Sequence, residues 1–372
     1  MSGQLHSPAP CWLDQAVVQS RRLHPYTPGK PVEQLLRELG IKHGVKLASN
    51  ENPFGPSPLA QAAIINSATQ VHRYPDGNAT ELKEALAAKH GVGVDQLLLG
   101  NGSNEVLELV IRTFAAAGDN VIYSRRGFIV YSLAAIAAGA DGRAVAEVDG
   151  LSHDLDGMVA AIDERTKVLC IANPNNPTGT IHSLAQLQSA LDRIPPHIVV
   201  IVDEAYVEFV IDTLGESIGS LHHPGLVICR TLSKAYGLAG LRVGYAVADA
   251  ELIDVVNRFR EPFNLNLVAQ HAALAALADG EWVRDKVKQV IRERSRVECE
   301  LRSMGLLHSP CHGNFVLIRH PLAAELVRKM ERQGFILRPL TPYGMSESVR
   351  LTVGLPQEMS ALLHALHSFV AG

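Results

Sequence analysis

The chain has 372 residues, of which 47% are hydrophobic and 19% are charged, and its formal net charge is −4. This length is two to three times that of a typical domain of roughly 150 residues, so two lobes are expected, and the composition excludes a disordered chain. The weakly acidic balance provides no basic field for nucleic acid or anionic lipid, so small molecules are the expected partners.

The cysteines and the N-terminal residues indicate the cellular compartment in which the protein is expected to work. The five cysteines are odd in number, widely spaced and without a C-x-x-C pair, which argues against a disulfide framework and a zinc site. The N-terminal segment lacks the basic and apolar regions of a secretory signal, and the apolar runs are shorter than the roughly 20 residues of a membrane helix. We therefore expect a soluble, cytoplasmic protein that binds no metal.

Short β-rich runs alternate with amphipathic helical stretches from about residue 95 to 250. This alternation predicts a parallel α/β sheet, and the continuous Val/Ile/Leu runs predict strands that are buried on both faces. A helix is predicted to begin near Ser103, which stands where an N-cap belongs. The predicted strands are Gln96–Leu99, Asn120–Tyr123, Arg143–Val148, Val168–Ala172, Ile198–Val202, Leu226–Cys229 and Val243–Val247.

The character of the sequence changes after Arg260, where long helical patterns with short strands indicate a smaller α+β lobe. We therefore predict a large domain over residues 46–265 and a second domain formed by residues 1–45 together with 266–372. The elements predicted outside the large domain are helices over Val32–Leu39, Leu267–Ala278 and Trp282–Met304 and strands near Phe315–Ile318 and Val349–Val353.

In open α/β sheets ligands bind at the carboxyl ends of the strands, so the loops that follow the strands are expected to carry the chemistry. Four loops at strand ends or before the Ser103 helix carry reactive side chains. They are GNGSNE (Gly100–Glu105), NPNNPTG (Asn173–Gly179), DEAY (Asp203–Tyr206) and TLSKAYGLAGLRVGY (Thr231–Tyr245).

Together these loops suit a pyridine aldehyde phosphate. Its phosphate requires a helix N-terminus, hydroxyls and a guanidinium group. Its aldehyde requires a lysine amine, its ring nitrogen an aspartate, and its ring oxygen neutral donors. The residues that could meet these needs are Gly102, Ser103, Asn104, Thr231, Ser233 and Arg242 for the phosphate, Lys234 for the aldehyde, Asp203 for the ring nitrogen, and Asn176 and Tyr206 for the ring oxygen.

The succession Asn-Pro-x-Asn-Pro-Thr-Gly, Asp-Glu-x-Tyr and Ser-Lys-x-x-x-x-x-Gly-x-Arg resembles the fold-type I aminotransferases, which depend on pyridoxal 5′-phosphate (PLP). That resemblance implies an α/β fold with a mainly parallel central sheet in the large domain and a smaller α+β domain. The chain is similar over nearly its whole length to one branch, the histidinol-phosphate aminotransferases of the class II subgroup. The segments that carry this similarity are Leu47–Pro58, Arg73–Asn78, Leu99–Leu109, Thr231–Tyr245, Gly313–Arg319 and Ser348–Gly354.

The resemblance implies roles for the matching residues. Lys234 would form the Schiff base with the cofactor and move the proton during turnover. Phe128 would stack on the cofactor face, although Arg126-Gly127 stands where the family has Pro-Thr. Tyr74 would reach the cofactor phosphate of the neighbouring subunit, which implies that a homodimer is required for activity.

The resemblance assigns substrate binding to residues elsewhere in the chain. Arg350 resembles the arginine that binds a substrate carboxylate, and Arg338, with Tyr26 and Asn52, resembles the wall that accepts the phosphate of histidinol phosphate. Two arginines suit a substrate pair in which histidinol phosphate, or its ketone imidazole acetol phosphate, brings a phosphate and glutamate or 2-oxoglutarate brings carboxylates. The implied function is transamination between L-histidinol phosphate and 2-oxoglutarate in histidine biosynthesis.

Several alternatives are open at this level. An aromatic amino acid aminotransferase, acting on phenylalanine or tyrosine, and a PLP-dependent decarboxylase of phosphorylated amino acids share much of this pattern. Asp203-Glu204 could be a simple helix N-cap. Arg338 and Arg350 could be structural ion-pair partners, and Phe128 could belong to the core.

Overall fold

The computed structural model of the protein describes residues 12–23 and 31–371. The helices in these ranges are α1 (Trp12–Gln15), α2 (Val32–Leu39), α3 (Pro58–Ser67), α4 (Thr80–His90), α5 (Ser103–Phe114), α6 (Val130–Ala138), α7 (Leu155–Ala160), α8 (Leu184–Leu191), α9 (Ile211–Leu214), α10 (Ala250–Asn257), α11 (Leu267–Ala278), α12 (Gly280–Ser303), α13 (Ala323–Arg332) and α14 (Pro356–Ala371). None of these helices has the length and apolarity that crossing a bilayer requires.

The strands form two larger sheets and one short pair. They are β1 (Val45–Lys46), β2 (Leu97–Asn101), β3 (Asn120–Ser124), β4 (Asp141–Val145), β5 (Thr166–Ala172), β6 (Val199–Asp203), β7 (Leu226–Thr231), β8 (Val243–Ala248), β9 (Leu307–Ser309), β10 (Phe315–Arg319), β11 (Phe335–Ile336), β12 (Arg338–Leu340) and β13 (Met345–Thr352).

The seven-stranded sheet lies at the centre of the fold, in the order β2-β8-β7-β6-β5-β3-β4. Strands β4, β3, β5, β6 and β7 run parallel, and β8 runs antiparallel to both of its neighbours. All residues of β6 and β7 are buried, as expected for apolar runs covered on both faces. Because β5, β6 and β7 are parallel neighbours, their carboxyl ends meet at one edge of the sheet.

The structure confirms the mainly parallel sheet and corrects the expected start of α5. The N-cap is Gly102, and Ser103 is the first helical residue. Gly102 has φ 83°, in the left-handed region that favours glycine, and a Cβ there would overlap the Arg242 guanidinium. The carboxylate of Glu105 accepts a hydrogen bond from the backbone N–H of Asn101 (2.5 Å), so this glutamate, rather than a serine cap, satisfies a donor at the helix start.

The predicted strand limits differ most from the observed ones at β4 and β13. The strand expected at Arg143–Val148 lies at Asp141–Val145, where its register is set by parallel pairing of Asp141 with Asn120 on β3. The strand expected at Val349–Val353 begins at Met345, four residues earlier. The limits of a strand depend on its pairing with neighbouring strands, and local composition does not reveal that pairing.

The second sheet is antiparallel, in the order β12-β13-β10-β9. Strand β1 pairs in parallel with β11, and the backbone N–H of Leu47 continues this pairing by donating to the carbonyl of Ile336 (2.8 Å). The segment that follows β1 therefore begins beside β11 of the smaller lobe. Helix α11 packs against α3 and α4, so elements on both sides of residue 265 share one core, and the division at that residue stays a prediction.

Candidate active site

A cavity of about 540 Å³ lies at the carboxyl ends of the central strands. The last residues of β5, β6 and β7, which are Ala172, Asp203 and Thr231, all line it. It is the place that a parallel sheet provides for a ligand. The predicted site residues that line this cavity are Ser103, Asn104, Phe128, Asn176, Asp203, Tyr206, Thr231, Ser233, Lys234, Arg242, Arg338 and Arg350.

Four other predicted residues lie away from the lining or outside the described ranges, and one of them, Gly102, is the N-cap of α5. The Asn52 amide donates to the carbonyl of Ala235 (2.8 Å) and does not line the cavity. The Tyr74 side chain is 81% exposed and stacks on Phe263, with ring centroids 4.7 Å apart. Tyr26 lies outside the described residues.

One part of the cavity is built to hold an anion. Helix α5 begins at Ser103, so its free backbone N–H groups and positive dipole end face the space. Next to Gly102, the Arg242 guanidinium donates to Ser233 Oγ (3.4 Å). Thr231 Oγ1 lies 2.9 Å from the same oxygen. A helix terminus, two hydroxyls and a guanidinium group thus converge, which suits a phosphate dianion.

Lys234 lies at the cavity with its Nζ donating to the carbonyl of Ser49 (3.1 Å). Removal of the ammonium group from water, aided by the positive charge of Arg350, lowers the pKa of Lys234 from 10.5 to about 7. About half of the molecules then carry an uncharged amine at neutral pH. This is the form of lysine that attacks an aldehyde carbon.

Asp203 ends strand β6 and is 4% exposed. Its Oδ2 accepts a hydrogen bond from the Tyr131 hydroxyl (2.7 Å), whereas its Oδ1 is buried and has no partner among the described residues. Burial raises the pKa of Asp203 to about 6, although the Tyr131 bond acts in the opposite direction. A buried carboxylate oxygen without a donor is costly, and a protonated ring nitrogen is a donor of the required kind.

One amide group and one phenol group line the cavity. Arg350 donates to Asn176 Oδ1 and to the carbonyl of Ala48 (2.7 Å). With its oxygen occupied, the Asn176 carboxamide offers its N–H groups to a ligand. Tyr206 is 3% exposed, and its hydroxyl accepts a hydrogen bond from Asn50 Nδ2 (2.8 Å).

Two arginines of the smaller sheet complete the cavity. Arg338 on β12 and Arg350 on β13 are paired across the two strands, and both line the space that also contains Lys234. Arg350 is buried and Arg338 is partly exposed. Each guanidinium group can bind a carboxylate or a phosphate through two parallel hydrogen bonds.

The sequence reasoning missed several contributors to the site. Tyr131 in the first turn of α6 follows Phe128 by three residues, and the two rings pack edge to face with centroids 6.0 Å apart. That spacing was the signal that could have identified it. Asn50 and Tyr343 offered no such signal, because Asn50 meets Tyr206 across 156 positions and Tyr343 reaches the cavity from a 3-10 turn beyond β12.

The chain is similar to known proteins over most of its length. A family model described as aminotransferase class I and II matches residues 42–366. Histidinol-phosphate aminotransferase 1 of Mannheimia succiniciproducens is 45% identical over 361 residues, covering 95% of this chain and 98% of the relative. Histidinol-phosphate aminotransferase 2 of Pseudomonas aeruginosa is 44% identical over 356 residues, covering 94% and 96%.

A solved structure is similar over the same extent. The histidinol-phosphate aminotransferase of Sinorhizobium meliloti, in complex with pyridoxal-5′-phosphate, superposes with a TM-score of 0.86 at 26% sequence identity. The match covers 96% of this chain and 98% of that structure.

Proposed function

The chain belongs to the class I and II aminotransferase family, and we propose that it transfers the amino group of L-histidinol phosphate to 2-oxoglutarate with PLP as cofactor. Its fold is that of the fold-type I PLP-dependent transferases. The observation that carries the proposal is that Arg338 and Arg350 line one cavity with Lys234. One pocket must accept the phosphate of one substrate and the carboxylates of the other, and guanidinium groups bind both anions.

The residues of the cavity fit PLP. Asp203 Oδ1 is buried without a donor and would accept the protonated ring nitrogen. The amide of Asn176 and the hydroxyl of Tyr206 would donate to the ring oxygen, and the N-terminus of α5 with Arg242 would hold the phosphate. Bound PLP supplies an electron-withdrawing ring that stabilises negative charge on the substrate carbon.

Lys234 would hold the cofactor through Nζ between turnovers and would carry a proton on the same atom during them. A group that both takes up and releases a proton works best when its pKa is close to the working pH, and the pKa of Lys234 is about 7. The carbonyl of Ser49 orients the amine. Phe128, packed edge to face on Tyr131, would cover one face of the ring.

We propose a homodimer in which Tyr74 serves the partner's site. Tyr74 does not line the cavity of its own chain, yet its ring is 81% exposed and stacked on Phe263, which is itself 43% exposed. Exposed aromatic rings that pack on each other are typical of a surface that a second subunit covers. Mixing inactive Lys234→Ala subunits with inactive Tyr74→Ala subunits should restore part of the activity, because one mixed site would be intact.

We also propose that the enzyme acts in the cytoplasm. Cys170, Cys229, Cys299 and Cys311 are free thiols, and a reducing compartment preserves such thiols.

The test of the proposed function is steady-state kinetics of the purified enzyme with PLP. We expect kcat/KM for L-histidinol phosphate with 2-oxoglutarate to exceed that for phenylalanine or tyrosine. The ketone and glutamate should appear in equal amounts without carbon dioxide. A higher kcat/KM for phenylalanine would instead favour an aromatic aminotransferase, and release of carbon dioxide would favour a decarboxylase.

A further inference from the structure

A chain of hydrogen bonds runs from strand β13 to the hydroxyl of Tyr206. It consists of Thr352, Asn50 and Tyr206, whose exposed fractions are 3%, 1% and 3%. The backbone N–H of Asn50 donates to Thr352 Oγ1 (2.9 Å), Thr352 Oγ1 donates to Asn50 Oδ1 (3.2 Å), and Asn50 Nδ2 donates to the Tyr206 hydroxyl (2.8 Å). All three bonds are buried.

The bond from Thr352 to the side chain of Asn50 sets the direction of the bond to Tyr206. Thr352 Oγ1 accepts the backbone N–H of Asn50 and has its own proton to donate. That proton goes to the side chain of Asn50, and the atom that receives it must be the carboxamide oxygen. The carboxamide nitrogen therefore faces Tyr206, and it too can only donate.

Tyr206 is consequently left with an unused proton. Its hydroxyl accepts from Asn50, and among residues 12–23 and 31–371 it has no acceptor for its own O–H. Burial raises the pKa of Tyr206 to about 12, so the phenol keeps this proton at ordinary pH. Since Tyr206 lines the cavity, the proton is available to a ligand there.

The backbone around Asn50 preserves this arrangement. Asn50 has φ 53°, in the left-handed region that asparagine and aspartate tolerate better than other side chains with a Cβ. Its carbonyl accepts a hydrogen bond from Asn314 Nδ2 (2.9 Å), next to strand β10. Asn50 is thus held from β13 and from the residue that precedes β10 while it contacts Tyr206, which follows β6.

We propose that Asn50 and Thr352 are positioning residues that make Tyr206 a hydrogen-bond donor toward the ring oxygen of PLP. This inference rests on the proposed function, because it assumes that the ring oxygen lies at Tyr206. It adds that the polarity of the contact is imposed from the smaller sheet. A change at residue 352 should alter cofactor recognition although Thr352 does not line the cavity.

The experiment compares two cofactors on the apoenzyme of each variant. PLP carries the ring oxygen, and 3-deoxypyridoxal 5′-phosphate has the same aldehyde, phosphate and ring nitrogen without it. The ratio of their dissociation constants, measured by absorbance titration, isolates the contact to the ring oxygen. We expect the wild type to prefer PLP by about tenfold or more, the value of one buried hydrogen bond to a charged oxygen.

Two variants change the direction of the hydrogen bonds that link Thr352, Asn50 and Tyr206, each at a different bond. In Asn50→Asp the carboxylate accepts the Tyr206 proton, so the preference for PLP should fall to about one to threefold. In Thr352→Val the carboxamide is free to turn its oxygen toward Tyr206, and the preference should fall in the same direction by less. Thr352→Ser keeps the hydroxyl and is the matched control, whose ratio should equal that of the wild type.

The outcomes separate the two levels of the proposal. If Asn50→Asp and Thr352→Val bind both cofactors more weakly but keep the wild-type ratio, the residues are only structural and the inference is overturned. If the wild type itself does not distinguish the two cofactors, the proposed contact of Tyr206 with the ring oxygen fails, and the inference fails with it. Thermal unfolding identifies a variant that has lost its fold, and the other variant then decides.

Discussion

The part of the cavity proposed to hold the cofactor and the part proposed to bind the substrate are built in different ways. The cofactor part consists of residues at the ends of adjacent parallel strands, such as Asp203 on β6 and Thr231 on β7. The substrate part consists of Arg338 and Arg350, which belong to a separate antiparallel sheet. Positions in the first part follow from the register of one sheet, whereas those in the second depend on how two sheets are packed together.

The two parts also differ in charge. The cofactor part contains a buried carboxylate bonded to Tyr131, neutral donors, and Arg242 bonded to Ser233. The substrate part holds two cations on paired strands. The bond from Arg350 to Asn176 Oδ1 joins the two parts, and the charge of Arg350 adds to the effect of burial in lowering the pKa of Lys234. Substitutions that act on one part alone therefore test how independent the two parts are.

The largest effect is expected at Lys234, whose substitution would separate binding of the cofactor from catalysis. In Lys234→Ala, kcat should fall by at least about 10⁴-fold, because both the tether and the proton carrier are lost. Pyridoxamine 5′-phosphate has no aldehyde to react with an amine and should bind nearly as tightly as to the wild type, as measured by absorbance titration. Lys288→Ala, at an exposed position of α12, is the control. Retention of substantial turnover by Lys234→Ala would contradict the assignment.

The two arginines should be separable by substrate. In Arg350→Ala, KM for glutamate should rise by about a hundredfold, because a buried guanidinium partner of a carboxylate is lost. In Arg338→Ala, KM should rise mainly for histidinol phosphate, and by less than that, because Arg338 is partly exposed and water screens its charge. Arg338→Lys keeps the charge and should be affected less than Arg338→Ala. Equal effects of both alanine variants on both substrates would show that the substrate part acts as one undivided anion site.

The pH dependence of cofactor capture tests the lowered pKa of Lys234, which burial and the charge of Arg350 both decrease. Below pH 7 the uncharged form of Lys234 increases about tenfold per pH unit, and above pH 7 it levels off. The rate constant for capture of PLP by the apoenzyme, measured by stopped-flow absorbance, should follow this curve, whereas capture by free N-acetyl-lysine should keep rising to higher pH. An enzyme curve that rises in parallel with the free amine would contradict the lowered pKa.

The same shift has a consequence for stability. The unfolded chain holds the lysine proton up to its ordinary pKa of 10.5, while the folded chain releases it near 7. Between these values the unfolded state binds more protons, so folding becomes more favourable as the pH rises. The free energy of unfolding of the apoenzyme, relative to Lys234→Met, should increase from about pH 7 to pH 10.

The smallest effect is expected at Tyr131, behind the cofactor part. Tyr131→Phe removes the hydrogen bond to Asp203 Oδ2, which lowers the pKa of Asp203 in the wild type. The pKa of Asp203 should therefore rise further, and PLP affinity should fall by about three- to tenfold. The control is Tyr123→Phe, which makes the same chemical change on strand β3 and outside the cavity lining. It should leave PLP affinity unchanged. Equal dissociation constants for PLP in the wild type and both variants would show that Tyr131 does not contribute to cofactor binding.

Local sequence patterns predicted the elements that carry their own signal. Helices α2 and α11 have the limits that their periodicity predicted, and Asp203 ends the strand predicted just before it. The start of α5 was misplaced by one residue because the cap position depends on Arg242, which lies 140 residues away in the chain. The antiparallel direction of β8 was likewise not predicted, since a buried apolar strand has the same composition in either direction.

The sequence by itself determined the sheet and the strand-end loops, and hence the residues proposed to hold the cofactor, because apolar runs and turn chemistry act between neighbours in the chain. Only the tertiary structure decided which donors and acceptors face one another. Tyr131 reaches Asp203 across 72 positions, and Asn50 reaches Tyr206 across 156. Such contacts arise where separate elements pack, and the direction of a buried hydrogen bond depends on every group around it. That is why Lys234 could be proposed from its motif, whereas its lowered pKa required its burial and the position of Arg350.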